Sequence, residues 1–243
     1  MIVNYNAAGW EVITQRAHGI LAAQLAAHWS VKERPERWTE TLMAIAEHDD
    51  AEVELDGEEL LTETGGPLNF SMKEVDLDYC KQLFQMAITK SQYIALLTSM
   101  HIEFLYGRYK KESAGVEAFL SEQTRLRTIW RKALQLDKEK SGRIYDLMQW
   151  CDACSLLITQ RQMPPEKRGI EISCHPKKKH FELVQTDDQS LTIHPWPFED
   201  TTLTVRYESR QLTQLQFSNS AAFRKAFYEA PVTDNIWILS KTH

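Results

Sequence analysis

From Glu74 to about Arg161 the sequence keeps helical periodicity almost without a break, and Met163-Pro164-Pro165 then stops it. The middle of the chain is therefore a set of packed helices. Weak points at Lys90 to Gln92, Ser113 to Gly115 and Ser141-Gly142 divide it into three or four. Two more helices precede it. Thr14 caps the first, in which His18, Leu21, Leu25 and Trp29 recur at helical spacing; Pro35 opens the second, with Trp38, Leu42, Ile45 and Asp49 on one stripe.

Outside the helices the pattern changes period. Residues 1–14 read as a hairpin, with a small-residue turn at Ala7 to Gly9. After the prolines come short alternating runs, GIEISC, HFELVQ, SLTIHPW, TLTVRY and QLTQLQF, which read as an antiparallel meander. A helix over Ala221 to Glu229 and an apolar run from Ile236 to Leu239 close the chain. The predicted fold is mainly α, in one domain over 1–243: a helical bundle over 15–162, and a small antiparallel β-sheet made by the hairpin of 1–14 and the meander of 169–243.

Composition narrows the function classes. With 43% hydrophobic and 26% charged residues, 243 residues can bury a substantial core. A net charge of -6 argues against a broad nucleic-acid surface, and the one basic cluster, Lys177 to Lys179, reads as a solvated loop. No window approaches eighteen uninterrupted apolar residues, and MIVNYNAAGW lacks the pattern of a signal peptide, so the expectation is a cytoplasmic protein without a membrane span. Cys80, Cys151, Cys154 and Cys174 are too sparse for a disulfide framework. Cys151 and Cys154 have metal or redox spacing but fall mid-helix, where buried thiols are the simpler account. His194-Pro-Trp-Pro-Phe198 reads as a rigid turn packing on the bundle.

The chemistry-bearing residues are polar groups on inward faces. His18 lies on the leucine stripe of the first helix; His48-Asp49 ends the second; His101 shares a face with Ile94, Leu97, Phe104 and Arg108; Asp152 shares one with Tyr145, Met148 and Ser155. Buried carboxylates are costly unless paired or metal-bound, and imidazole with carboxylate suits first-row divalent metals. Gly19, a poor helix former beside His18, points to close backbone packing or a ligand. The long segment Ala51 to Phe70 reads equally as a wall of a site or as a surface loop. Lys90, Arg108 and Arg143 adjoin these helices, with surface salt bridges as the plain account of each, and His28 reads as a packed or capping residue.

The order His18, His48-Asp49, Asp152 on separate helices resembles the HD superfamily of metal-dependent phosphohydrolases. More narrowly, ITQRAHGILAAQLAAHW (Ile13 to Trp29), HDD (His48 to Asp50) and PLNF (Pro67 to Phe70) resemble an uncharacterised bacterial family related to HD proteins. The resemblance implies an HD-like bundle in which His18, His48, Asp49 and Asp152 bind a divalent ion (Mn, Mg, Fe, Zn or Ni), with Asp49 also orienting the attacking water. His101 and Arg108 are then additional ligand or substrate contacts. A single histidine between the HD pair and the last Asp implies a mononuclear site. The implied partner is a small phosphorylated metabolite or nucleotide. The alternatives are a non-catalytic ligand-binding or regulatory module on the same scaffold, and an iron oxygenase, which asks for more ligands than this chain offers.

Overall fold

The computed structural model describes all residues except 52, 58, 75, 112, 173–179 and 243. Lys177 to Lys179 and Cys174, and with them the solvated-loop expectation, lie outside the described residues. In order, the elements are β1 (Ile2–Asn6), β2 (Gly9–Ile13), α1 (Gln15–Ala27), α2 (Trp38–Ala46), α3 (Leu77–Ile88), α4 (Gln92–Tyr106), α5 (Ala114–Ala133), α6 (Lys138–Thr159), β3 (Gly169–Glu171), β4 (Glu182–Asp187), β5 (Ser190–His194), β6 (Thr202–Leu212), α7 (Ser220–Glu229) and β7 (Val232–Ser240).

The expectation of a mainly α protein with a small antiparallel sheet is corrected. The fold is α+β: half of the chain is helical, and seven strands form one mixed sheet, curled into a half-barrel. Its order is β1-β2-β6-β7-β5-β4-β3, with β5 and β7 parallel. The size was hidden for two reasons. Alternation continues from TLTVRY through ESRQL, so the first of two short runs belongs to a strand of eleven residues, burying Leu203, Val205, Tyr207, Ser209 and Leu212, whereas the second, QLTQLQF, is strand only at Gln211 and Leu212. The last apolar run is part of a nine-residue strand, β7, which follows α7, lies antiparallel to β6 and inserts between β6 and β5. Alternation identifies strands but not their order in a sheet. The hairpin does join the later strands, through Trp10 opposite Leu212 and Val12 opposite Arg210.

Helix α1 is the shared element of both layers. Leu21, Leu25 and Ala26 are fully buried in one core with Val205, Leu183, Leu191 and Ile193 of the sheet and with Met148, Cys151 and Ile158 of α6. Where β2 has diverged from β6, α1 covers the strand edge: Gln24 donates to the Arg206 carbonyl (2.8 Å) and accepts from the Arg206 N–H (2.9 Å). A second clamp holds the sheet to the end of α6, where Arg161 makes paired hydrogen bonds to the buried Glu11 of β2 (2.8 and 2.9 Å). Burial raises the Glu11 carboxyl, but the hydrogen bonds from Arg161 and Asn4 outweigh it and hold the group below its ordinary range.

The junction of α1 with the end of α2 depends on Gly19. A Cβ there would stand 2.5 Å from the backbone oxygen of Ala46. Only a residue without a side chain lets the two segments meet. Gly19→Ala should therefore destabilise the protein by about 1–3 kcal/mol, read as a lower denaturant midpoint; an unchanged midpoint would show that the two segments are not closely packed.

Candidate metal centre

Three segments bring four donor residues together. The hydroxyl of Thr14 caps α1 by accepting the Ala17 N–H (3.1 Å), so His18 falls on the first full turn, facing inward. Helix α2 ends at Ala46, earlier than the stripe through Asp49 implies, and His48 and Asp49 occupy the turn that follows. That difference has a geometric reason. Neighbouring residues on a helix diverge by about 100°, whereas a turn lets two adjacent side chains face one point. Asp152 comes from the middle of α6, and Ser155 lies one turn further on.

The donor atoms lie close together. His18 Nε2 and His48 Nε2 are 3.0 Å apart. Asp49 Oδ2 is 3.4 Å from the first and 3.5 Å from the second; Asp152 Oδ1 is 3.6 Å and 3.3 Å away. Donors each about 2.0–2.2 Å from one ion stand roughly 3–3.5 Å from one another, so the separations of the two histidines from each other and from either carboxylate fit a cation held between them.

Hydrogen bonds on the far side of each ring fix which nitrogen is free. His48 Nδ1 is 2.7 Å from the Ile45 carbonyl, which only accepts, so Nδ1 carries a proton. Ser155 Oγ donates to the Asp152 carbonyl (2.8 Å) and therefore accepts from His18 Nδ1 (2.7 Å). Each histidine thus turns Nε2 toward the other. Two nitrogen lone pairs at this distance repel unless a positive charge joins them.

The charges agree with that. Burial alone lowers the His48 imidazolium, yet the carboxylates of Asp49 and Asp152 overcome it and raise the pKa to about 10. Burial raises both carboxyls, and the His48 charge more than offsets this, holding Asp49 and Asp152 below their ordinary range. Without an ion, the proton on His48 supplies the positive charge.

His18 and His48 are sealed, while the side chains of Asp49 and Asp152 keep 13% and 11% exposure, at the wall of a cavity of about 550 Å³. That volume suits a small organic molecule. Ala51, Glu54, Leu60 and Phe70 line it, so the segment from Ala51 to Phe70 is a wall of the site. His101 and Arg108 also line it. His101 Nδ1 is 3.3 Å from the Tyr145 hydroxyl, and burial lowers its pKa to about 4 despite nearby carboxylates. His18, His48 and Asp152 form one group able to hold a metal ion, and His48, Asp49 and His101 another.

Other candidates lie elsewhere. Lys90 pairs with Glu47 (3.1 Å) and Arg143 with Glu139 (3.9 Å). His28 caps the end of α1. Cys151 and Cys154 are fully buried in α6, where desolvation raises both thiols. Two site residues escape sequence inspection. Gln15 donates to Asp49 Oδ2 (3.2 Å), and Tyr79 of α3 donates to Asp49 Oδ1 (3.1 Å). Gln15 lies three residues before His18, hence on its face; Tyr79 carries no such signal.

A family model described as "Protein of unknown function (DUF3891)" matches residues 1–214, and the chain belongs to that family. No curated protein and no solved structure matches. No helix among the described residues is long and apolar enough to cross a membrane.

Ion binding has to displace the His48 proton. Affinity for Mn²⁺ should therefore rise by up to about tenfold per pH unit below pH 10, with close to one proton released per ion near pH 8, measured by calorimetry in buffers of different ionisation enthalpy. The stability linkage has a definite sign. Because the folded pKa of His48 is raised from 6.5 to about 10, its contribution is complete below pH 6.5 and disappears as pH rises through 10. Protein kept in chelator should lose thermal stability over that window. Binding without proton release would exclude His48 as a ligand.

Proposed function

We propose that this chain is an HD-type metal-dependent phosphohydrolase acting on a small phosphorylated metabolite or nucleotide. The observation that carries the proposal is the pair of imidazole nitrogens of His18 and His48, 3.0 Å apart, with a carboxylate oxygen of Asp49 and one of Asp152 each within 3.6 Å of both, and both carboxylates at the wall of a cavity of substrate size. Imidazole nitrogens and carboxylate oxygens in this proportion suit Mn, Fe, Zn or Ni better than a site built of oxygens alone. A divalent ion bound there supplies the Lewis acidity that makes water nucleophilic near neutral pH and offsets phosphate charge.

The chain's own groups perform the remaining tasks. His18 and His48 form the dry back of the site, each with its ring fixed by a hydrogen bond. Asp49, fixed by Gln15 and Tyr79, can accept a proton on the cavity side while keeping one oxygen toward the histidines. Arg108 brings positive charge to the cavity wall, where a phosphate oxygen needs a counter-charge. His101, uncharged at neutral pH, can donate or accept a hydrogen bond there.

The test is a panel of phosphate monoesters and nucleotides with protein loaded separately with Mn²⁺, Zn²⁺, Fe²⁺, Ni²⁺ or Mg²⁺. Hydrolysis of at least one substrate is expected, with kcat/KM reduced by about 10³-fold or more in Asp49→Ala. A metal-loaded wild type that binds phosphorylated ligands without turnover would instead identify a binding or regulatory module.

A further inference from the structure

Gln15 has one side-chain polar atom bonded to Asp49 and one left without a partner. Its backbone N–H donates to Glu54, and its side-chain amide nitrogen donates to Asp49 Oδ2. Because a carboxylate oxygen only accepts at neutral pH, the amide cannot be reversed without setting oxygen against oxygen. The carbonyl oxygen, Oε1, is therefore the atom left over. It is buried and has no hydrogen-bond partner. Among the described residues with such an atom, Gln15 is the one that lines the cavity beside the candidate metal centre.

A buried acceptor without a partner is uncommon and calls for a reason. Gln15 is 6% exposed, fixed at the first position of α1, and three residues before His18 on the same face. Its nitrogen already reaches the oxygen of Asp49 that faces the histidines, so the amide is tied directly to the donor set. The groups that could reach it from the cavity are those carrying a hydrogen to donate.

We infer that Gln15 is a positioning residue for the water of this centre: its amide nitrogen holds Asp49, and its Oε1 accepts a hydrogen bond from a water on the cavity side. The inference rests on the proposed metal-dependent hydrolysis, to which it adds the group that orients the nucleophile. An acceptor there fixes one O–H of the water, leaving a lone pair of its oxygen directed to the substrate and its other O–H to Asp49. Glutamine suits the place because one side chain supplies the donor Asp49 needs and the acceptor the water needs.

Two substitutions separate these roles. Gln15→Met removes donor and acceptor; Gln15→Glu keeps an acceptor and loses the donor. Each variant is loaded with saturating Mn²⁺, and three quantities are measured: Mn²⁺ affinity, the lifetime of Mn²⁺-bound water from solvent-proton relaxation dispersion, and kcat and KM on a substrate from the panel. Both variants should bind Mn²⁺ about 10- to 100-fold more weakly. In Gln15→Met the water lifetime and kcat should fall, kcat by about 10- to 100-fold with little change in KM; in Gln15→Glu both should be largely restored at saturating ion. Equal loss in the two variants, or an unchanged water lifetime in Gln15→Met, would overturn the inference and leave Gln15 as a support for Asp49 alone. A wild type that hydrolyses nothing but whose water lifetime shortens in Gln15→Met and recovers in Gln15→Glu would sink the hydrolase proposal and keep the positioning role.

Discussion

The structure turns on a contact that cannot stand without a cation: two imidazole nitrogens, His18 Nε2 and His48 Nε2, 3.0 Å apart in a sealed interior. Each ring is held in that orientation from behind, by Ser155 and by the Ile45 carbonyl. Neither can rotate to relieve the other without abandoning a buried hydrogen bond, which is costly. The two carboxylates at 3.3–3.6 Å make the point between them strongly favourable for positive charge. Much of the nearby architecture serves to maintain this arrangement. Gly19 permits the approach of α1 to the end of α2, and the chain leaves the helix at Ala46 so that His48 and Asp49 can both turn inward.

Such a site needs a rigid surround, and the sheet supplies it. Helix α1 is gripped on one side by α2 and α6 and on the other by the strands, with Gln24 pairing with the exposed edge of β6. Trp29, Trp150, Phe181 and Phe198 interlock edge to face where the sheet meets α6. The Glu11–Arg161 pair then ties β2 to the end of the helix that carries Asp152. The strands are thus the other half of the core that keeps His18 and Asp152 in register.

What could be read from the sequence follows from the range of the interactions. Helical stripes are local, and they placed His18, His101 and Asp152 on inward faces; Gly19 was conspicuous for the same reason, as a poor helix former on a buried face. Strand order is not local. Nothing within TLTVRY or IWIL states that β7 lies beside β6 and parallel to β5, so seven strands read as a small antiparallel meander. The turn holding His48 and Asp49 reads in the sequence as the last turn of a helix because apolar spacing persists to the end. Tyr79 reaches Asp49 from a helix whose own pattern only explains its packing.

Charge balance bears on the kind of cation that such an arrangement would suit. Two ionised carboxylates and two neutral imidazoles carry two negative charges, which a divalent ion cancels completely. With a proton on His48 in its place, one negative charge is left uncompensated in a largely dry setting, which is unfavourable. A monovalent cation would leave the same excess and would gain less from imidazole nitrogen, a ligand that favours transition metals. The carboxylates are also the ligands that face the cavity, so charge can be exchanged there while the imidazoles stay sealed. A cation at this point would therefore be held from behind by fixed nitrogens and reached from the front past oxygens, with the open side directed to whatever the cavity binds.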